Sequence, residues 1–396
     1  MDRRSDINWK ASIRIAILQR SCPQYRVSLF REIANEPGVF LRLFIGTDMP
    51  SGKLRSVANL DRIDAQRLPT KFFDLFGRTV PYHSGLMEGL KEFCPDVILC
   101  EGESNCLNYI QAILYKAGFD SSVVLLHWCF TSLPGENRSQ YRPAELFKYF
   151  TKKFFDGYVA YSSFSRQYLL KQNISSERIL TAVNVGDVET FMAELKILRA
   201  AGYTRAGIRL KLGLPEKFTV IYSGALEAVK RPDLVLEIAN ILRDEEICFL
   251  IIGDGSEREK LVSSVILLGL RNVHILGRVA KPVSHYYAAS DVLVMPGRGG
   301  IVLSEALACG VPVLAFQGDG TERDLISNWD TGVLLEDGSA KSFAICIRRM
   351  IKNTAMHSRM SENAEQAILR QYNTTNMVRK IVSFTRQLHS SKNFVT

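Results

Sequence analysis

Residues 295–310, MPGRGGIVLSEALACG, combine three glycines in four positions with Arg298 and, one helical turn further on, Glu305. Gly297, Gly299 and Gly300 leave the backbone bare for close approach of an anion. A helix starting near Ile301 and Val302 would turn unpaired N–H groups toward the same point. Such a loop suits a diphosphate, and Glu305 adds a carboxylate able to accept hydrogen bonds from hydroxyls beside it.

A second basic group lies upstream in SGALEAVKRP, residues 223–232. Gly224 ends a strand pattern, Pro232 suits the first position of a helix, and Lys230 and Arg231 therefore sit at a helix N-terminus. The macrodipole disfavours cations there by about 0.3–1 kcal/mol. Either an anion lies between them and the helix, or the segment is a solvated basic turn. IIGDGS at 251–256 is a weaker signal: two glycines resemble part of a dinucleotide fingerprint, but the third glycine is missing and a tight turn capped by Ser256 is the better reading. His127, at the end of an apolar strand and followed by Trp128, is placed either to enter a cleft or to be a satisfied core histidine. The histidines show no metal spacing, the eight cysteines form no CxxC pair, and no Asp-x-Asp triplet occurs. With no metal site expected, helix dipoles and basic side chains would have to neutralise a leaving nucleotide.

These residues need elements to hold them, and short apolar runs alternate with helical patterns throughout. The spacing predicts strands over 13–19, 39–45, 96–100, 123–127 and 157–161, then over 218–223, 247–252, 273–276, 291–295, 311–316 and 332–335. Runs that are apolar on both faces indicate parallel strands covered by helices on either side. Two doubly wound α/β halves follow, with ligands expected in a cleft at the strand C-termini. Residues 191–217 read as a polar, basic linker with a first helix, and the tail as helical from about Ser358 to near His389.

The 396 residues suffice for two or three domains. No apolar run approaches the roughly 20 residues that span a bilayer, and residues 1–12 lack a signal-peptide core, so a cytoplasmic location is expected. The net charge of +9 is spread evenly, with 26 Lys and Arg against 21 Asp and Glu in residues 1–200 and 24 against 20 beyond. That argues against a nucleic-acid tail and fits work on phosphorylated substrates, or peripheral contact with the anionic inner face of a plasma membrane.

FLIIGDGSEREKL, NVHILGRV, HYYAASDVLVMPG and SEALACGVPVLAF, in that order, resemble the GT-B glycosyltransferases of family 4, of the bacterial cell-surface polysaccharide type. VNVGDVETF at 183–191 is similar to the segment closing the family's N-terminal domain. The resemblance implies two Rossmann-like domains facing a central cleft: an acceptor-side domain at 1–195, a nucleotide-sugar domain at 196–372 and a helix at 373–396 crossing back to the first. It implies transfer of a sugar, with retention, from a UDP- or GDP-sugar to a hydroxyl of a lipid-linked or glycan acceptor, in exopolysaccharide, lipopolysaccharide or capsule synthesis, with no cofactor. Glu305 matches the glutamate on the donor ribose and Lys230 the diphosphate lysine. Arg278 and Val279 fall where the base is read, Glu322 matches a glutamate after the next strand, and His127 resembles the histidine facing the donor sugar. His127 and Lys230 are thus the expected catalytic pair, with Gly224, Arg231, Arg298 and residues 297–302 around the donor. YRVSLFREI resembles a bacterial subset in which Tyr25 and Arg26 face the acceptor, a surface arginine being the alternative. Two positions depart from the family: Gly297 stands where its first glutamate belongs, in a loop about three residues shorter, and Ala225 replaces a basic residue. A GT-B nucleotide-sugar epimerase, a non-catalytic GT-B partner protein and, least, a Rossmann dehydrogenase are the other readings.

Overall fold

The apolar runs form the strands. In a computed structural model describing residues 12–49, 55–75, 78–102, 106–129, 150–279 and 282–393, Ile13–Gln19 (β1) is buried at every position except Arg14, as a strand covered on both faces must be. It is followed by β2 Val39–Gly46, β3 Ala65–Leu68, β4 Thr70–Leu75, β5 Arg78–His83, β6 Val97–Glu101, β7 Val124–Cys129, β8 Gly157–Ala160 and β9 Ile179–Thr181. Seven of these make a parallel sheet in the order β3-β2-β1-β6-β7-β8-β9, and β4 with β5 is a separate antiparallel hairpin. Strands β10 Phe218–Ser223, β11 Ile247–Ile252, β12 Val273–Gly277, β13 Val292–Met295, β14 Val313–Ala315 and β15 Gly332–Leu334 form a second parallel sheet, ordered β12-β11-β10-β13-β14-β15. In each sheet the winding reverses beside its first strand, at β1/β6 and at β10/β13. Those reversals open the crevices in which ligands of open α/β sheets bind.

The chain accordingly has the GT-B make-up of two Rossmann-like units with a long C-terminal helix. Residues through Ala182 form the first unit together with Thr374 onward, and Val183–Asn373 form the second. Residues 183–195, assigned above to the first domain, pack with the second, because helix Val188–Ala200 buries Leu195 and Leu198 against Ala288 and Ala289. The expected linker is two helices, Val188–Ala200 and Arg205–Leu212. The expected single tail helix is also two, Thr354–Arg370 and Thr374–Asn393. Asn373 interrupts it, its amide donating to the carbonyls of Ile368 and Leu369 that the first helix leaves open. The last helix returns to the first unit: Lys392 Nζ donates to the Val123 carbonyl at 2.9 Å and pairs with Asp156 at 3.1 Å.

Short edge strands β3 and β9 and the β4–β5 hairpin were absent from the sequence-based expectation, since strands of three or four residues at a sheet edge need no apolar run. The amino-terminal residues 1–11, read above for the lack of a signal core, lie outside the described residues.

Candidate functional site

The second unit gathers most of the expected residues at the C-terminal ends of β10 and β13. After β10 the chain makes a 3-10 turn, Ala228–Lys230, and enters helix Pro232–Ile241 with Pro232 at its first turn. Arg231 takes the left-handed conformation at that junction, φ 53°. Its side chain is turned onto its own helix, Nε lying 3.1 Å from the Asp233 carboxylate, and is 47% exposed. In this structure its charge is paired with Asp233 on its own helix.

Lys230 reaches across instead. Its ammonium donates to the Arg298 carbonyl at 2.7 Å, and Arg298 N–H donates back to Val229 O at 3.4 Å. Burial lowers the Lys230 pKa, with the Asp319 carboxylate pulling it up and Arg298 down again. Gly297 is buried against this turn: a Cβ there would stand 2.7 Å from Lys230 Cα and 2.6 Å from its carbonyl carbon. Gly300, at φ 63°, supplies the left-handed step that turns the loop into helix Val302–Ala308. The amides of Ile301 and Val302 bond to no backbone carbonyl among the described residues. Two bonds thus join the 228–230 turn, one of them from its half-buried ammonium, to a glycine loop whose far end carries these two amides.

Glu305 lies one turn into that helix, half-buried over the backbone of Gly186, whose Cβ position would be 2.8 Å from Oε1. Gly186 N–H donates to Ser304 Oγ at 3.0 Å, pinning the 183–191 segment beneath the helix. No hydrogen bond to the Glu305 carboxylate forms among the described residues. Withdrawal from water, and secondarily the Asp187 carboxylate, push its pKa up to about 8. Ser304, Gly186 and Asp187 were not among the expected site residues, and their contact spans 118 positions of chain. Asp319 was also missed. Its Oδ2 lies 3.5 Å from the Cβ position of Gly300, on the loop after β14, and a Gly-Asp-Gly turn following a strand is the signal that could have found it. Glu322 is buried and used within that same loop, accepting Gly320 N–H at 2.8 Å.

Other expectations fare differently. Gly224, φ 144°, brings its backbone to within bonding distance of β11, donating to Ile252 O at 3.0 Å, and Gly253 sits where a Cβ would overlap Gly224 O. This is the tight-turn reading of the Gly-Asp-Gly segment. Ser256 is not the helix cap; its hydroxyl donates to Glu227 at 3.0 Å and the helix starts at Arg258. Arg278 and half-buried Val279 follow β12, two strands from β10 in the sheet order, with Arg278 87% exposed and 3.7 Å from Asp254. Among the described residues no group of three His, Cys, Asp or Glu side chains is placed to hold a metal.

In the first unit, His127 is enclosed by aromatic rings. Nε2 lies 3.2 Å from Tyr109 OH, and the imidazole stacks on Phe155 at 5.0 Å between centroids. The side chain is half-buried and keeps part of its surface exposed. Arg26 is not a surface residue: Nη2 pairs with Glu101 Oε1 at 2.5 Å, and the guanidinium lies 4.7 Å over Trp128. Burial would lower its pKa, and Glu101 with Tyr161 and Tyr25 more than offsets this, so the charge is held more firmly than usual. Half-buried Tyr25 packs beside it, the guanidinium 5.7 Å from its ring. Tyr161 OH donates to the same Glu101 oxygen at 2.6 Å. Tyr161→Phe removes two hydrogen bonds to charged groups, the one to Glu101 and the one accepted from Arg26 Nη2 at 3.1 Å, and is expected to cost about 3 kcal/mol, read as a lower midpoint in denaturant with unchanged slope.

Residues 205–367 match the family model described as Glycosyl transferases group 1. N-acetyl-alpha-D-glucosaminyl L-malate synthase of Bacillus anthracis is 29% identical over 171 residues, 41% of this chain and 43% of that protein. The aligned part thus spans under half the length of this curated relative. HepE of Anabaena, solved with UDP, superposes with a TM-score of 0.69 at 17% identity, over 94% of this chain and 99% of that one. The lipopolysaccharide outer core galactosyltransferase WaaB does so with a TM-score of 0.66 at 18% identity, over 94% and 99%.

Proposed function

We propose that this chain, a GT-B protein of the glycosyl transferases group 1 family, moves a sugar from a nucleotide diphosphate sugar to an acceptor hydroxyl, with retention of anomeric configuration. The observation that supports this most is the pairing of the Lys230 ammonium with the 297–302 loop at the β10/β13 reversal, one helical turn from a carboxylate that accepts no hydrogen bond among the described residues. Lys230 and the amides of Ile301 and Val302 neutralise the departing diphosphate, the electrostatic help such a leaving group needs most. Glu305 accepts hydrogen bonds from the ribose hydroxyls. The leaving phosphate takes the proton of the attacking acceptor hydroxyl, so the bond to phosphate breaks on the face where the bond to the acceptor forms. The UDP bound to HepE and the galactosyltransferase WaaB support a uridine donor and a lipid-linked or cell-surface glycan acceptor.

Glu305 provides the test. Its folded pKa of about 8 stands above the value of 4.5 that it has when solvated, so the folded site holds a proton that the unfolded chain has released. The associated stability is complete below pH 4.5 and declines as pH rises toward about 8, and Glu305→Gln removes that decline. Hydroxyl donors favour the ionised form, so nucleotide binding releases a proton and tightens with pH up to about 8. Titration calorimetry with UDP-sugars in buffers of different ionisation enthalpy reads both quantities. Glu305→Ala is expected to weaken binding tenfold or more, about 1.4 kcal/mol. Wild-type affinity in that variant, or binding without proton release below pH 8, would put the nucleoside elsewhere.

A further inference from the structure

Resting on the donor reading above, we propose that Asp319 accepts a hydrogen bond from a hydroxyl of the donor's sugar, and so distinguishes a nucleotide sugar from the bare nucleoside diphosphate. Asp319 stands on the turn that follows β14, and the 297–300 loop follows β13, the strand paired with β14 through Met295 and Ala315. The two turns touch. A Cβ at Gly318 would lie 3.6 Å from Gly299 N, and a Cβ at Gly300 would lie 3.5 Å from Asp319 Oδ2. An acidic oxygen therefore flanks the loop to which the Lys230 ammonium is bonded.

The carboxylate is held from behind. Thr321 donates to Oδ1 twice, from its N–H at 3.1 Å and from its hydroxyl at 2.5 Å. The turn is fastened in its own right by buried Glu322, whose Oε2 accepts the Gly320 N–H at 2.8 Å. Asp319 is half-buried between buried Gly318 and Gly320, and its Oδ2 accepts no hydrogen bond among the described residues. An acceptor fixed in advance and left open suits a neighbour rich in donors.

Charge favours a hydroxyl over a phosphate as that neighbour. An ionised carboxylate only accepts, and toward a diphosphate it is repulsive. Its field does reach the phosphate end of the loop, since Asp319 pulls up the Lys230 pKa that burial lowers. A group that opposes the phosphates has its use toward the part of the donor that carries O–H groups. Glu305 is assigned to the ribose, which leaves the hexose. Position 297, where the sequence resemblance leads one to expect a carboxylate, has no room for a side chain. Asp319 brings a carboxylate to the same loop from the neighbouring strand.

Asp319→Asn inverts the open atom without removing the turn. Thr321 keeps its two bonds to Oδ1, so the amide NH2 takes the place of Oδ2 and a neutral donor replaces a charged acceptor. Titration calorimetry with UDP, UDP-glucose, UDP-galactose and UDP-N-acetylglucosamine, in chelator and again in magnesium, gives the sugar's share as the ratio of UDP-sugar to UDP affinity. For the hexose that the wild type binds best, this ratio is expected to fall tenfold or more in Asp319→Asn, about 1.4 kcal/mol, while UDP binds as before or tighter. Deoxy analogues of that hexose locate the partner: the hydroxyl whose loss costs the wild type tenfold should cost Asp319→Asn nothing. An unchanged ratio, or equal losses for UDP and UDP-sugar, overturns the assignment and leaves Asp319 as a turn former beside Lys230. So does a magnesium requirement that Asp319→Asn abolishes, which would make the carboxylate a metal ligand. Tight UDP binding with an unchanged ratio is failure of Asp319 alone, whereas a wild type that binds none of the four fails the donor reading itself and the Asp319 assignment with it.

Discussion

Lys230→Ala is expected to lower the rate of sugar transfer by a hundredfold or more, about 2.7 kcal/mol or above in the barrier, with the fold intact. The size follows from where the ammonium sits. It is half-buried, so water screens it less than at the surface, and it is aimed at the mouth of the 297–300 loop by its bond to the Arg298 carbonyl. A charge fixed in advance stabilises a departing diphosphate without reorganising during the reaction. The lowered Lys230 pKa means that activity resting on its charge should fade at a lower pH than for a solvated lysine. Lys230→Arg separates the roles: it keeps a charge but offers a planar fork where a single donor meets a single carbonyl. Partial rescue by arginine, with the loss in turnover rather than in donor affinity, is the expected pattern. An alanine variant that transfers sugar at the wild-type rate would mean that the diphosphate is neutralised elsewhere, and one that only loses donor affinity would reduce Lys230 to a binding group.

The legible part of this chain is the part whose physics is local. Strands β1, β10 and β11 match their predicted limits residue for residue because each is an apolar run with both faces covered. The placement of Lys230 on a turn before Pro232 followed from proline's fixed φ. What was not legible depends on partners distant in sequence. The pairing of Arg231 with Asp233 depends on how the helix start turns its side chain, which the basic doublet alone does not show. Arg26 could not be told from a surface arginine, since its carboxylate is 75 positions away and its tyrosine 135. Nothing near Glu305 in the chain announces Gly186 and Asp187 beneath it, although the Asp187 charge adds to the burial that raises its pKa. His127 had the strand position of a cleft residue, and nothing near it in the chain announced the rings of Tyr109, Phe155 and Tyr158 that pack against it.

Gly297→Glu, which would supply the carboxylate that the sequence resemblance leads one to expect at this position, is expected to abolish donor binding rather than improve it. A Cβ at 297 meets Lys230 Cα at 2.7 Å, Lys230 C at 2.6 Å and Val229 O at 2.7 Å. These are backbone atoms and cannot swing aside as a side-chain tip could, so the whole 228–231 turn must move, and it takes the Lys230 ammonium with it. Overpacking of this kind typically costs about 1–3 kcal/mol, and rigid neighbours put this case at the upper end. UDP-sugar affinity should fall about a hundredfold, equivalent to about 2.7 kcal/mol, together with a lower thermal midpoint. Gly297→Ala makes the same collision without the charge and should reproduce most of both losses. An alanine variant with wild-type affinity would show that the loop yields freely, and a glutamate variant with enhanced transfer would show that the missing carboxylate, not the packing, limits the enzyme. The shorter loop and the glycine then have one physical explanation: only with no side chain at 297 can the end of β13 close onto the β10 turn. Only in that contact do Arg298 O and Lys230 Nζ come within 2.7 Å of each other, so the bare position at 297 is what lets backbone hold the lysine.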